Sequence, residues 1–370
     1  MSPRLRSLLR PPRQSTIGTA MNPASRGAIH LLRLLLDEPP ARARVSDIDW
    51  RTLLPLAQRN GVLLRTVTRA GPGAPPAGVA SAVVAERQRV DATVALIERV
   101  AAECEARAIP HVFISALQHL PDVGLDVDLL VPERAPGLGA ALEAALGTRP
   151  LRRGFGARLS GAVTYPGGAD AIPLDVHRGR LGVAGEHIRY PARLLAHPHT
   201  VAFGDDAVRV PTPDDLMVLQ GMHRVYGRRH IRIGDLVTTV AAIRRDTLDW
   251  DYVIAQSAET GTVDGLSCYL RFVETVHREV LDRPLLDPAL FDRLEQHPWG
   301  PVSLTNGVVC FPVLRVHSRL FPWAVVRQVR ARNWLSAARL CLVPAVVAES
   351  SLRRFARRRG LVPVVAGATT

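Results

Sequence analysis

Asp126 and Asp128 interrupt the apolar run of "GLDVDLLVPE" (124–133). In an extended strand, residues two apart share a face. The two carboxylates therefore project together beside Leu130, while Val127, Leu129 and Val131 face a core on the other side. Carboxylates this close repel each other unless a cation lies between them. Hard oxygen donors suit magnesium, which keeps part of its water shell and shares the rest with substrate phosphates. Asp175 in "AIPLDVH" (171–177) is the candidate third ligand, because a charge among those apolar residues is otherwise costly. Asp126, Asp128 and Asp175 are thus candidate metal-binding and catalytic residues at once. With two magnesium ions they would serve phosphoryl transfer. One ion would lower the pKa of an attacking hydroxyl, and the other would stabilise a leaving pyrophosphate. A structural reading stands beside this one, since inward charges on a sheet edge discourage aggregation.

Strands must set these residues. "HVFISA" (111–116) reads as one, and 126–131 as another, closed by Pro132. A short helix over 135–147 ends at Gly147, and "LSGAVTY" (159–165) pairs with "AIPLDVH" as a hairpin. This unit, residues 109–210, is expected to be an α+β core built on a small mixed sheet with helices. Helices flank it on both sides. Upstream, 28–36 and 47–62 have helical spacing, and "GPGAPPAG" (71–78) is a turn. Val83, Val90, Val94, Ile97, Ala101 and Cys104 then form one stripe on a helix over 79–108, which Pro110 ends. Downstream, Thr212, Pro213 and Asp215 give an N-cap, a first-turn proline and a capping box. Helices follow to about residue 281. The expected organisation is a basic, disordered tail (1–27), a helical segment (28–108), the core (109–210), a helical domain (211–298) and an Arg-rich, weakly helical end (299–370).

Composition limits the alternatives. The chain has 370 residues, 47% of them apolar, enough for a sizeable core. The net charge of +13 lies at the ends. Residues 1–36 hold six arginines and no acid, and 311–370 hold eleven arginines and Glu349 alone, which leaves 37–310 at −3. The basic ends could meet nucleic acid, an anionic membrane surface or a partner. An aromatic content of 5% argues against RNA or single-stranded DNA as the main substrate. The chain has no lysine, which excludes a Schiff-base lysine and a Walker-type phosphate-binding lysine. Cys104, Cys268, Cys310 and Cys341 are too scattered for a zinc site and read as buried thiols. The basic N-terminus has no apolar h-region behind it, and Met21 is an alternative start. "LCLVPAVVA" (340–348) is far shorter than the roughly 20 residues of a membrane span. The expected location is cytoplasmic.

The order of "IDWRTLLPLAQRNGVLLRTV", "LDVDLLV", "LDVH", "TPDDLMVLQGMH", "RIGDLVTTVAAI" and "LDWDYVIAQSAETG" resembles the uncharacterised nucleotidyltransferase-like family of the polymerase-beta-type nucleotidyltransferase superfamily, over about residues 28–290. The resemblance implies NTP as substrate, magnesium on Asp126 and Asp128, and Asp175 as third ligand or base for an acceptor hydroxyl. His177, His223 and Asp235 also match its pattern. For His223 and Asp235 the expected role is a helix-to-helix hydrogen bond that supports the site. The acceptor is left open, and the resemblance points to bacterial biosynthetic or modification pathways. The chain departs from the family in its phosphate cradle. Ser115-Ala116 stands for a Gly-Ser pair, Ile114 for a lysine, Asp122 for an arginine and Leu125 for a small residue. Arg152, Arg153 or Arg158 is the expected source of the missing charge. The alternative is a catalytically degenerate accessory or adaptor protein that binds a partner through its basic C-terminus.

Overall fold

The computed structural model describes residues 23–358 apart from 38–47, 72, 74, 116, 153, 168–171, 204–205, 295–296 and 306. The expected tail 1–27 lies outside these residues except for its last five, which already begin α1 (Pro23–Leu36). Asp49 caps α2 (Trp50–Asn60) by accepting from Thr52 N, and Gly61, left-handed at φ 60, ends it. Next come α3 (Leu63–Arg69) and α4 (Ala77–Glu105). The expected stripe on α4 serves two cores. Val79 and Val83 join α1, α2 and α3 in one. Leu96, Ile97, Val100, Ala101 and Cys104 pack under the central sheet in another. The helix stops earlier than Pro110 requires. Ala108 is left-handed at φ 50, and Ile109 N closes back on the Cys104 carbonyl at 2.9 Å, a Schellman ending.

The central sheet has the order β1-β2-β4-β3, formed by β1 (Val112–Phe113), β2 (Val127–Val131), β3 (Val163–Tyr165) and β4 (Leu174–Arg178). The pair β2/β4 is parallel and the other two pairs are antiparallel, so the sheet is mixed. The two outer strands are shorter than the sequence suggests. The chain bends at Ser115 after β1, and Leu159 and Ser160 belong to a helix, not to the hairpin. Between β2 and β3 run α5 (Leu138–Leu146) and α6 (Phe155–Ser160). After β4 come α7 (Arg189–Ala196) and the antiparallel pair β5 (His199–Phe203) and β6 (Asp206–Val210).

α8 (Pro213–His223) begins as its signal predicts, with Thr212 accepting from Asp215 N. β7 (His230–Ile231), α9 (Ile233–Arg244), α10 (Trp250–Glu259), α11 (Val263–Leu281) and α12 (Pro288–Arg293) follow. α8 and α11 cross closely because both lack a side chain at the contact. A Cβ on Gly221 would lie 2.9 Å from Leu266, and one on Gly265 would lie 2.6 Å from the Gly221 carbonyl. This crossing seats Met217, Val218 and Met222 of α8 against Leu130 of β2.

The end of the chain differs from the weakly helical segment expected of it. β9 (Val308–Cys310) pairs with both β7 and β8 (Ser303–Thr305), and two long helices follow, α13 (Val313–Arg330) and α14 (Trp334–Arg358). Each contains one proline, Pro322 and Pro344. α14 packs back on the core, where Arg339 donates to the carbonyls of Leu159 (2.8 Å) and Ala184 (2.9 Å). Cys104 and Cys268 are buried as expected, whereas Cys310 is half-buried and Cys341 is exposed. Among the described residues, no helix is long and apolar enough to cross a membrane.

Asp122 fixes the loop that leads into β2. Its buried carboxylate accepts from Leu64 N at 2.7 Å and Arg65 N at 3.3 Å, at the open N-terminal turn of α3. The Arg65 guanidinium lies 3.7 Å away. Asp122→Ala would leave two amide groups without an acceptor. The expected loss is about 2–4 kcal/mol of stability, read as a lower urea midpoint at unchanged m-value.

Candidate active site

The register of the parallel pair sets the site. Asp128 lies opposite Asp175, and Leu130 lies opposite His177. All four side chains therefore share the sheet face turned toward α8. Val127, Leu129, Val131, Leu174 and Val176 occupy the opposite face, in the core with α4 and α5. Asp126 stands one residue before β2. One oxygen from each of Asp126, Asp128 and Asp175 lies within 4.8 Å of the other two. Asp175 Oδ1 is buried with no hydrogen-bond partner. A buried, undonated oxygen beside two more carboxylates is a donor set that fits a hard divalent cation.

The charges in the site are unequal. Burial, and next the charge of Asp128, push the Asp126 carboxyl up to about 6, against the pull of Arg228. Burial and Asp128 raise Asp175 as well, while a hydrogen bond from Thr164 on β3 opposes the rise. Asp128 moves the other way. Burial opposes its ionisation, but His177 Nε2, 2.9 Å from Oδ1, holds it well below the usual carboxylate range, with help from Ser115. His177 is raised in return, because the hydrogen bond and charge of Asp128 outweigh its burial. The His177 ring thus offsets part of the negative charge that the carboxylates gather.

These groups line a cleft of about 220 Å³. Ser115 lies in it, with its hydroxyl 3.4 Å from the Asp126 carbonyl. Ala116 and Arg153 lie outside the described residues. Arg152 and Arg158 are exposed and do not line the cleft, so the charge expected from them comes from elsewhere. Arg224, Arg228 and Arg232 provide it, from the link between α8 and α9. Arg228 reaches Asp126 only at 3.9 Å. Arg224 and Arg232 are tied to Asp235, at 3.0 and 3.4 Å. Those two guanidiniums overcome the burial of Asp235 and keep its carboxyl below the ordinary range.

Asp235 therefore joins the end of α8 to the start of α9 through ion pairs, where a hydrogen bond was expected, and it does not itself line the cleft. His223 does line it. Its Nε2 is buried without a partner, and burial pushes the ring down to about 3, so it is neutral. The three arginines were missed in the sequence. The available signal was their density in "HRVYGRRHIR" (223–232), directly after His223.

A family described as uncharacterised nucleotidyltransferase matches residues 46–277. The matched span holds the three aspartates, His177, His223, Asp235 and the three arginines, and it ends before α13. No curated protein and no solved structure matches the chain.

A cation entering this cluster must displace the proton of Asp126, so its affinity rises with pH. With a carboxyl at about 6, roughly one molecule in ten has Asp126 ionised at pH 5, and nearly all do at pH 7.5. Mn²⁺ or Mg²⁺ titrated by calorimetry is expected to bind about tenfold more tightly at pH 7.5 than at pH 5, with net proton release. His177, raised by Asp128, adds to the effect in the same direction.

Proposed function

The chain belongs to the uncharacterised nucleotidyltransferase family, and from that membership we propose that it is a magnesium-dependent enzyme that transfers a nucleotidyl group from an NTP to a hydroxyl or phosphate acceptor. The observation that carries the reading is the meeting of Asp126, Asp128 and Asp175 donor atoms within 4.8 Å in a cleft lined by arginines. Magnesium on the oxygens of Asp126 and Asp128 would neutralise phosphate charge and make the acceptor a better nucleophile.

The remaining chemistry falls to the chain. Among the described residues Arg228 is held by one long ion pair and can turn to the triphosphate, where a guanidinium meets two phosphate oxygens at once. Arg232, oriented by Asp235, presents a second positive charge to the same cleft. His177 keeps Asp128 ionised and oriented. Asp175 Oδ1, which has no partner, receives the proton of an acceptor hydroxyl. As the proton leaves, the acceptor oxygen bonds to the α-phosphorus. The bond from that phosphorus to its bridging oxygen breaks, and pyrophosphate departs. A carboxyl raised by burial suits this task better than an ordinary one.

The test is NTP turnover with magnesium. Asp126→Ala and Asp128→Ala are each expected to reduce it by on the order of 10²–10³. Arg228→Ala is expected to raise KM for the NTP by about tenfold, with a smaller change in kcat. Turnover equal in wild type and the aspartate variants, or absent from all of them, would sink the catalytic reading. Its absence would leave the accessory-protein alternative.

A further inference from the structure

A second and larger cavity, of about 690 Å³, opens on the far side of the short 3-10 turn Leu117–His119. Its wall is largely apolar, with Phe113 of β1, Val210 of β6, Met217 of α8 and Val240 of α9 among its lining residues. The charged residues along it are all basic: Arg65, Arg69, Arg244 and Arg245. Among the described residues, no aspartate or glutamate lines it.

This cavity adjoins the carboxylate cleft, and Gln118 and Gln220 line both. Arg224 Nε donates to Gln220 Oε1 at 2.6 Å, which fixes the amide, and Gln220 Nε2 has no hydrogen-bond partner among the described residues. The Gln118 side-chain amide has none among them either. Two amides without full protein partners therefore stand between the two spaces.

The cavity also has a direction. Arg232, in the cleft, is the N-cap of α9, and Arg245, on the cavity, is its C-cap. At 1.5 Å per residue the two lie about 20 Å apart along the helix. Arg244 is held by the Leu36 carbonyl at 2.6 Å and by His277 at 3.0 Å, and Arg65 by the carbonyls of Gln118 and Leu120 and by Asp122. Arg245 is exposed and has no partner among the described residues. Cations at a helix C-terminus can serve the helix alone. That explanation does not account for an apolar cavity beneath them that adjoins the carboxylate cleft.

We propose that this cavity is the acceptor site, and that it takes a single-chain amphiphile. The apolar chain lies along α9, an anionic end group meets Arg245, and the group to be nucleotidylated reaches the cleft past Gln118 and Gln220. A hydrocarbon chain suits the wall better than a peptide, whose amide groups would find few partners there. The inference names the acceptor class of the proposed reaction and rests on that reading for the word acceptor. The binding itself does not depend on it.

The experiment is calorimetry on the full chain with dodecanoate as probe and dodecyltrimethylammonium as its charge-reversed control, run alongside the NTP assay. Wild type is expected to bind dodecanoate and to bind the cation at least about tenfold more weakly. Ala241→Trp, at an exposed lining position on α9, is expected to abolish binding with the fold intact by circular dichroism. Arg245→Glu is expected to weaken binding by about tenfold, whereas Asp128→Asn, which leaves the cavity untouched, keeps it. Equal binding of the two probes, or dodecanoate binding unchanged in both Ala241→Trp and Arg245→Glu, overturns the proposal. So does NTP turnover in a wild type that does not bind dodecanoate. Binding with the expected variant pattern but no NTP turnover supports the amphiphile site and overturns the catalytic reading alone.

Discussion

Asp128 and Asp175 face each other in register across two neighbouring parallel strands, and the rest of the site answers that repulsion. Two like charges on adjacent strands, partly removed from water, destabilise the sheet that holds them unless positive charge comes close. The His177 ring, itself on β4, hydrogen-bonds Asp128 at 2.9 Å and favours its ionised form. Arg228 approaches the third carboxylate from the opposite wall. A buried Asp175 oxygen stays undonated among the described residues, so the protein's own groups do not fully neutralise the cluster, which suits it to a cation.

Asp235 imposes the second constraint. A cleft without lysine takes its positive charge from guanidiniums, and guanidiniums on a loop are poorly oriented unless anchored. Asp235 anchors two of them at once, and His119 stands 3.7 Å from the same oxygen. Asp122, one of the positions at which the chain departs from the pattern it resembles, caps a neighbouring helix. Positive charge enters the cleft from the helical domain instead of the strand loop.

This division explains what could be read in the sequence. Asp126, Asp128 and Asp175 were legible because a charge inside an apolar strand has few inexpensive explanations. The mixed sheet and the start of α8 were legible because alternation and capping are local. Arg228 and Arg232 were not, since an arginine in a helical link looks the same whether it faces solvent or a cleft. Only the folded arrangement, which turns the link between α8 and α9 toward the carboxylates, distinguishes the two cases. The C-terminal helices were under-read for another reason. Val316, Leu320 and Ala324, and then Ala337, Leu340, Val343 and Val346, keep helical spacing, but Pro322, Pro344 and the surrounding arginines obscured it. The split duty of α4 was likewise invisible, because a single stripe does not say that its two ends enter different cores.

The parallel pairing of β2 with β4 has a consequence for how the chain reaches its native state. Residues 132–173 lie between the two strands, so their contact is non-local and closes only after a long loop has been brought together. Until then Asp128 and Asp175 remain apart and hydrated, and neither charge hinders the helices that form from local contacts. The repulsion arises only when the crossover closes. Kinetically, the cost of assembling the cluster then falls on the closing step, and a cation present at that moment would act on the folding barrier as well as on the finished site.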